Sequence, residues 1–528
     1  MASIPVTIKH TGKTYSLTLN ASQPPRVFKE TIYQSTGVPV DRMKVMIKGV
    51  TLKDDDWGKL ALKEGVSFMV LGTAEELPKP PEKKIVFLED MDDEELAEAL
   101  ALPVGLKNLG NTCYMNATVQ VLRAIPELQT ALTEYADSST PGLPAHLGQL
   151  YTSMSRTTDS FVPLQFLASL RQNFPQFAEV GRGGGGNKLL AAYAQQDAEE
   201  CYSQIIGNAL RDVPGPSGKK FIEAYMMSRV RNELKCDEAP EEPATMSTEN
   251  VLKVECHISG QTNFMHSGIK EVLDQKVTKR SPTLNRDAAY SHHSRLERLP
   301  TYLTIHMVRF AWKQDIGKKA KIMRQVKFPT EYDALDIVTD ELKAKLQPVS
   351  RRLMEIEKER KERGKIRKRT KNKASTSQTA APLDTVSTTE GAAMDVDKKP
   401  EEGGDLDDES VYRKKELEEL EGLISPDVKA DIGASPTGLY ELVAIITHKG
   451  PAADAGHYIG FVKKSVFHPK ASQATGSEQK TIDDDDDDWY KFDDEKVSIF
   501  PVEKLATLDG GGEDASAYVL LYKTKPLA

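Results

Sequence analysis

GLKNLGNTCYMNATVQVL, running from Gly105 to Leu122, falls into two halves. Gly105–Thr112 is built from glycines and asparagines, the residues that tolerate left-handed turns. From Tyr114 onward, Met115, Val119 and Leu122 recur at helical spacing. Cys113 stands at the join, where a helix begins. Unpaired backbone N–H groups and the helix dipole favour negative charge there, so a thiolate is stabilised. Asn108, in the turn just upstream, is placed to aim its amide at the same point. A thiolate beside an amide donor is the front end of a thiol-based hydrolytic site. A lone cysteine is more often a buried structural residue. The Gly/Asn turn and the helix start weigh against that here, and a histidine and an aspartate further along overturn it.

At 528 residues the chain is too long for one ordinary domain and implies two or three. A net charge of −9 excludes a polyanion binder over the whole chain. The four cysteines, Cys113, Cys201, Cys236 and Cys256, include no C-x-x-C pair, so neither a disulfide framework nor an ordinary zinc site is expected. The N-terminal residues lack an apolar signal core, and no apolar run reaches the length of about 18 residues that a membrane span needs. The expectation is a soluble intracellular protein in a reducing compartment, with no metal and no cofactor.

Residues 1–75 read as a small β-rich domain. Ile4, Val6 and Ile8 alternate with polar residues, His10–Lys13 turns, and Tyr15, Leu17 and Leu19 alternate again. Pro24-Pro25 opens a helix that Gly37 closes; Met43, Val45 and Ile47 form a third strand, and Val66, Phe68 and Val70 a last one. The segment resembles ubiquitin along its length, through Thr11-Gly12-Lys13-Thr14, Gly37-Val38-Pro39, Lys48-Gly49 and Val70-Leu71. Where ubiquitin ends in Gly-Gly, this chain reads Leu71-Gly72-Thr73-Ala74, so the domain is suited to recognition and not to conjugation. A proline-rich, charged linker spans 76–102, with a short helix expected after Asp92-Asp93-Glu94-Glu95.

From 103 to 525 the chain is similar to the ubiquitin-specific proteases, papain-like deubiquitinases. The opening stretch matches that family's cysteine box. Gln195-Gln196-Asp197-Ala198-Glu199-Glu200 matches its glutamine–aspartate–glutamate motif, His457-Tyr458-Ile459-Gly460 its histidine box, and Trp489-Tyr490-Lys491-Phe492-Asp493-Asp494 its aspartate box. Tyr302–Phe310 and Ala517–Tyr522 resemble core strands of the family. The resemblance implies an α+β fold: a ubiquitin-like β-grasp domain followed by a papain-like domain of thumb, palm and fingers. It implies Cys113 as nucleophile, His457 as base and Asp493 as the residue that orients it, with neighbouring Asp494 left open. It further implies Asn108 as oxyanion donor, and Gln195, Gln196, Asp197 and Glu200 around the channel for the ubiquitin tail. Residues 221–300 would form the fingers, in which the solitary Cys236 and Cys256 suggest a lost zinc ribbon. His292 and His293 read as solvated loop residues, and His306 as a structural strand residue.

Gly181–Gly186 has no Gly-Lys-Ser/Thr ending and reads as a surface insertion, not a phosphate loop. The run Asp483–Asp488 reads as an exposed, self-repelling loop. Arg351–Lys373 carries twelve Lys/Arg against four Glu, and Ser/Thr/Ala/Pro-rich and acidic sequence follows. Residues 345–427 are therefore expected to be an insertion that is disordered or a solvated helix, with disorder favoured. Lys365–Lys371 resembles a nuclear-import signal or a nucleic-acid patch, but no aromatic residue accompanies it for base stacking. The loops Thr447–Gly456 and Ala311–Lys321 are expected to cover the cleft, as in the family's proteasome-docking members. Those members share this combination of domains. The functional expectation is hydrolysis of isopeptide bonds at ubiquitin's C-terminal glycine. Its partners would be ubiquitin, ubiquitinated proteins and the proteasome regulatory particle, in cytoplasm and nucleus. The rival readings are a ubiquitin-binding adaptor of little activity and a nucleic-acid-associated protein.

Overall fold

The alternation of Val6 and Ile8 with polar neighbours gives strand β1 (Ser3–His10), which pairs in antiparallel register with β2 (Lys13–Asn20). The turn between them has positive φ at Thr11 and Gly12, the twist that two-residue hairpins favour. Helix α1 (Pro25–Thr36) starts on a proline and stops at Gly37, whose φ of 73° lets its N–H close on Tyr33 O. Strands β3 (Lys44–Ile47), β4 (Val50–Thr51) and β5 (Ser67–Leu71) complete a sheet of order β2-β1-β5-β3-β4, with β5 parallel to β1. Phe28 and Ile32 of α1 pack on Val6, Ile8, Val45, Phe68 and Val70 of the sheet. This is the β-grasp arrangement. The computed structural model describes residues 3–57, 60, 62, 64–72, 91–100, 102–138, 142–180, 193–313, 317–377, 408–452, 455–468 and 486–527. The linker prolines, Gly181–Gly186 and Asp483–Asp485 lie outside them.

Contacts divide the chain into Met1–Asp90 and Met91–Ala528. The second unit opens inside the expected linker with α2 (Asp93–Leu100), whose Asp93 carboxylate accepts from the N–H and hydroxyl of Thr158 at 3.0 and 2.6 Å. Next comes α3 (Cys113–Leu122), every residue of which is buried. Its polar residues Asn116, Thr118 and Gln120 are buried too, and each has a hydrogen-bond partner. Around it stand α4 (Pro126–Ser138), α5 (Leu143–Met154), α6 (Leu164–Asn173), α7 (Ala198–Gln204) and α8 (Phe221–Tyr225), the thumb.

The fingers are β6 (Ser228–Cys236), β7 (Thr245–Val251), β9 (Asp274–Arg280) and β10 (Asp287–Arg298), ordered β7-β6-β10-β9; β8 (Val254–His257) and α9 (Met265–Leu273) lie between β7 and β9 in the chain. His292 and His293 lie within β10 and not in a loop, and His293 Nδ1 sits 2.8 Å from Asp274. The palm sheet uses β8, β11 (Tyr302–Val308), β15 (Leu439–Ala452), β16 (Ala455–Lys463), β17 (Trp489–Asp493), β18 (Lys496–Phe500) and β19 (Ser516–Thr524), ordered β18-β17-β16-β15-β19-β11-β8. Between β11 and β15 lie β12 (Phe310–Lys313) and β13 (Lys318–Lys321), a hairpin of their own, and β14 (Glu331–Asp333), paired with β15. The stretches expected as cleft-covering loops are therefore two hairpins, β12–β13 and the outer end of β15–β16. A short α13 (Lys464–Phe467) follows β16. Among the described residues no helix is long and apolar enough to cross a membrane.

Disorder over 345–427 is corrected for its described parts. Residues 345–377 belong to a helix, α10 (Asp340–Ser377), and α11 (Glu409–Leu423) packs against it before α12 (Pro426–Ala430). Val349, Leu353 and Ile356, spaced on one face of α10, bury against Leu420 and Leu439. Arg360 and Arg363 reach Glu416 at 2.7 and 2.6 Å, and Arg352 reaches Glu419 at 2.7 Å. Charge counted along the sequence predicts disorder, whereas charge paired across two helices supports order. Residues 378–407 lie outside the described part.

Candidate active site

Cys113 is the first residue of α3 and is almost wholly buried. The loop before it is shaped as its composition suggests, though not at every position. Gly110 and Asn111 take the left-handed conformation, with φ of 95° and 55°. Gly105 serves close approach instead: a Cβ there would stand 2.4 Å from Glu495 O. Asn116 and Gln120 of α3 donate to Leu106 O and Val104 O, at 3.2 and 2.9 Å, so the helix carries its own approach strand.

His457 opens toward Cys113 from β16. Its Nε2 lies 2.7 Å from Asp493 Oδ1, and Lys491 Nζ holds the other oxygen, Oδ2, at 3.0 Å. With Nε2 so engaged, Nδ1 is the nitrogen left to face Cys113. The neighbouring Cys113 sulfur is the largest cause raising the pKa of His457 to about 9; burial opposes it and the hydrogen bond to Asp493 adds to it. Burial alone would raise the Asp493 carboxyl, but the hydrogen bonds from His457 and Lys491 hold it below the usual carboxylate range. At neutral pH the pair is an imidazolium facing a sulfur at a helix N-terminus, an arrangement able to carry a nucleophilic thiolate and to return a proton to a leaving group. Gly456 permits the approach: a Cβ there would meet Lys449 O at 2.3 Å and His448 Nε2 at 2.5 Å.

The structure thus brings Cys113, His457 and Asp493 into one line. Asp494 does something else. Its φ is 50°, and its oxygens accept from Asn116 Nδ2 and Asn108 Nδ2, each at 2.8 Å. Asn108 therefore gives one N–H to Asp494, while its carbonyl oxygen receives Gly110 N–H and Thr112 N–H. The side chain that stands beside the sulfur is Gln195: Nε2 is 3.8 Å from Cys113 Sγ, and Oε1 accepts from Gly456 N–H at 3.3 Å. Gln195 bridges the cysteine helix and the histidine strand. Asp197 caps α7 by accepting from Glu199 N–H, and Tyr518 hydroxyl binds its carboxylate at 2.8 and 3.0 Å. Gln196 is half-buried and Glu200 exposed on α7.

Sequence reasoning missed a group of buried rings at this site. His448 packs edge-on against Tyr458 and Phe310, with centroids 4.8 and 5.1 Å apart, and Tyr518 packs against Phe310 and His306 at 5.3 and 5.2 Å. Both ring nitrogens of His448 and of His306, and the Tyr458 hydroxyl, have no hydrogen-bond partner among the described residues. The alternating strand patterns containing His448 and Tyr518 were readable; their convergence was not.

Comparison with known proteins agrees with this chemistry. A family model described as ubiquitin carboxyl-terminal hydrolase matches residues 104–522. The chain is similar to ubiquitin carboxyl-terminal hydrolase 6 of Schizosaccharomyces pombe, 40% identical over 99% of this chain and 100% of the relative. It is similar to ubiquitin carboxyl-terminal hydrolase 6 of Arabidopsis thaliana, 34% identical over 96% of each. It is also similar to ubiquitin carboxyl-terminal hydrolase 14 of Caenorhabditis elegans, 30% identical over 98% of this chain and 93% of the relative. A buried thiol at a helix start, met by a histidine that a carboxylate holds, sits inside a match of this extent, and the chain belongs to the ubiquitin carboxyl-terminal hydrolase family, as a cysteine-type ubiquitin hydrolase.

Proposed function

We propose that Cys113 attacks the carbonyl of ubiquitin's C-terminal glycine in an isopeptide bond, with His457 as base and acid and Asp493 fixing its tautomer. The observation that carries this reading is the line from Asp493 through His457 to Cys113. The thiolate adds to the carbonyl carbon and the carbonyl oxygen takes the charge. Backbone N–H groups at the α3 start and the Gln195 and Asn108 amides meet that oxygen. His457 then protonates the departing lysine amine as the C–N bond breaks, and water, deprotonated by His457, clears the thioester. Gln195, Gln196, Asp197 and Glu200 line the path of the incoming tail in this reading. Labelling by a ubiquitin bearing a C-terminal electrophile tests the nucleophile: it should map to Cys113 and vanish in Cys113→Ala. Label on Cys201 would sink the assignment.

The β-grasp unit is proposed to dock the enzyme on the proteasome regulatory particle, so that ubiquitin is recycled from substrates there. Met46 and Met69 pair across β3 and β5, Leu71 pairs with Lys44, and Lys9 stands beside Met69 on β1. Met69 and Leu71 are about half exposed, at 53% and 49%, which makes an apolar patch rimmed by lysines. Met69→Glu should abolish co-purification with proteasomes and leave hydrolysis of a ubiquitin fluorogenic amide unchanged. Retained binding in that variant and in a chain lacking residues 1–75 would refute docking. Residence in cytoplasm and nucleus is part of the same proposal, since proteasomes occupy both.

A further inference from the structure

The catalytic histidine stands on a projecting part of the palm sheet. Pairing of β15 with β19 ends at His448 and Ser516, and pairing of β16 with β17 ends at Gly460 and Phe492. Beyond those points β15 and β16 have only each other, and Lys449 pairs with His457 there. Two-stranded ribbons are marginal alone, so something must hold the root of this one. Two contacts do. Gly450 N–H donates to Glu513 O at 2.7 Å, and Lys321 Nζ donates to His448 O and Asp514 O at 2.9 and 3.0 Å.

Lys321 is the last residue of β13, so it also ties the second hairpin, β12–β13, to the root of the histidine ribbon. Its side chain is buried, and among the described residues no carboxylate lies within ion-pair distance of it. Arg309, likewise buried, spends its guanidinium on the carbonyls of Ala517, Arg324 and Asp509. An ammonium taken from water and bonded to carbonyls, with the Asp514 and Glu513 charges offsetting burial only in part, is costly, and a neutral side chain would fill the space at less cost. Burial, with Arg309 nearby, pushes the Lys321 pKa down to about 8. What the ammonium supplies that an apolar group does not is a directional hold on two main-chain carbonyls.

We infer that Lys321 is a positioning residue for the reaction: by clamping His448 O and Asp514 O it sets where His457 meets Cys113. The inference rests on the reading of His457 as the catalytic base. It predicts an effect on the chemistry and not on ubiquitin binding, because Lys321 reaches the site through the main chain.

The test uses the full chain with Lys321→Met and Lys321→Gln, the second keeping a neutral donor. Iodoacetamide alkylation of Cys113 at neutral pH reports the thiolate without involving ubiquitin. Alkylation and kcat on the ubiquitin fluorogenic amide should each fall about tenfold in Lys321→Met, with KM changed less than about twofold and Lys321→Gln in between. Either variant folded, with a lower melting temperature but alkylation at the wild-type rate, would make Lys321 a stability residue and overturn the inference. So would a Lys321→Gln chain that does not fold. If alkylation of the wild type maps to a residue other than Cys113, the catalytic reading fails and takes the clamp with it. Wild-type labelling at Cys113 together with an unaffected Lys321→Gln removes the clamp alone.

Discussion

Replacing Asp493 by asparagine changes one atom and separates the two neighbouring aspartates. Asp493 accepts from His457 through Oδ1 and from Lys491 through Oδ2, at 2.7 and 3.0 Å. An asparagine must turn its NH2 toward one of these donors. Lys491 is partly exposed and can swing into water, so the amide nitrogen goes to that side and the carbonyl oxygen stays on His457. The imidazolium then keeps its hydrogen bond but loses the partner charge. A bond to a charged group contributes about 1.5–3 kcal/mol and a neutral one about 0.5–1.5, so the difference is about 1–1.5 kcal/mol, or about one pH unit. The sign follows from His457 having its pKa raised to about 9 in the folded chain. Its contribution to stability is complete below the unfolded value of about 6.5 and is lost as pH rises through about 9. Weakening the bond moves that loss, and the alkaline limb of kcat/KM, downward by about one unit. Asp493→Ala removes the acceptor and should lower kcat/KM by about 10²–10⁴-fold. The assay is hydrolysis of a ubiquitin C-terminal fluorogenic amide from mildly acid to strongly alkaline pH, with Asp494→Asn beside it. An alkaline limb that stays in place in Asp493→Asn but moves in Asp494→Asn would refute the assignment.

Two further outcomes are expected from contacts away from the nucleophile. Asp494→Ala strips the charged partner from both Asn108 and Asn116 and places alanine at positive φ, so denaturant unfolding should show a loss of about 2–4 kcal/mol, with Asp494→Asn between it and wild type. In the helix pair, Arg363→Met leaves the buried Glu416 short of a partner and should cost about 3–5 kcal/mol in thermal unfolding of that region, whereas joint replacement of Arg360, Arg363 and Glu416 by apolar residues should cost far less. Equal losses in the single and joint variants would show that the ion pairs do not organise the helices.

What was legible in the sequence was local. The turn residues before Cys113 and the apolar spacing after it specify a helix start without help from elsewhere. The apolar run from Tyr440 to Ile446 specifies a strand, although the glycines and proline of Thr447–Gly456 read as a loop that ends it. In the fold Gly450 has a φ of 122° and the strand passes through with a shift of register. A hairpin glycine of this kind reads in sequence as the end of an element, because the bulge it supports is defined only by the partner strand. The site's supporting contacts are of another kind. Asp494 to Asn108 spans 386 positions, Tyr518 to Asp197 spans 321 and Lys321 to His448 spans 127. No periodicity carries such pairs; they exist because β17, β19 and β13 arrive at one end of the palm. This is why the sequence points to Asn108 as an amide donor without showing its bond to Asp494.

The helical ends of the insertion show where composition stops being informative. Arg351–Lys373 has too few apolar residues to form a core of its own, and the inference of disorder is sound for a segment considered alone. It is not alone. Val349, Leu353 and Ile356 spend their burial on Leu420, Leu439 and the terminal Leu527, so a three-residue stripe is enough when the partner surface already exists. Arg352, Arg360 and Arg363 flank that stripe, and Glu409, Glu416 and Glu419 of α11 face them. Lys525, just past β19, closes the base of the pair on Glu357 at 2.8 Å. Arg352, Arg360, Arg363 and Arg367 lower the free energy of one packing and no other, because they repeat on the face that the glutamates of α11 meet. The quantity that distinguishes a solvated charge run from half of a helix pair is therefore the periodicity of its charges relative to its few apolar residues, read together with an oppositely charged repeat further along the chain.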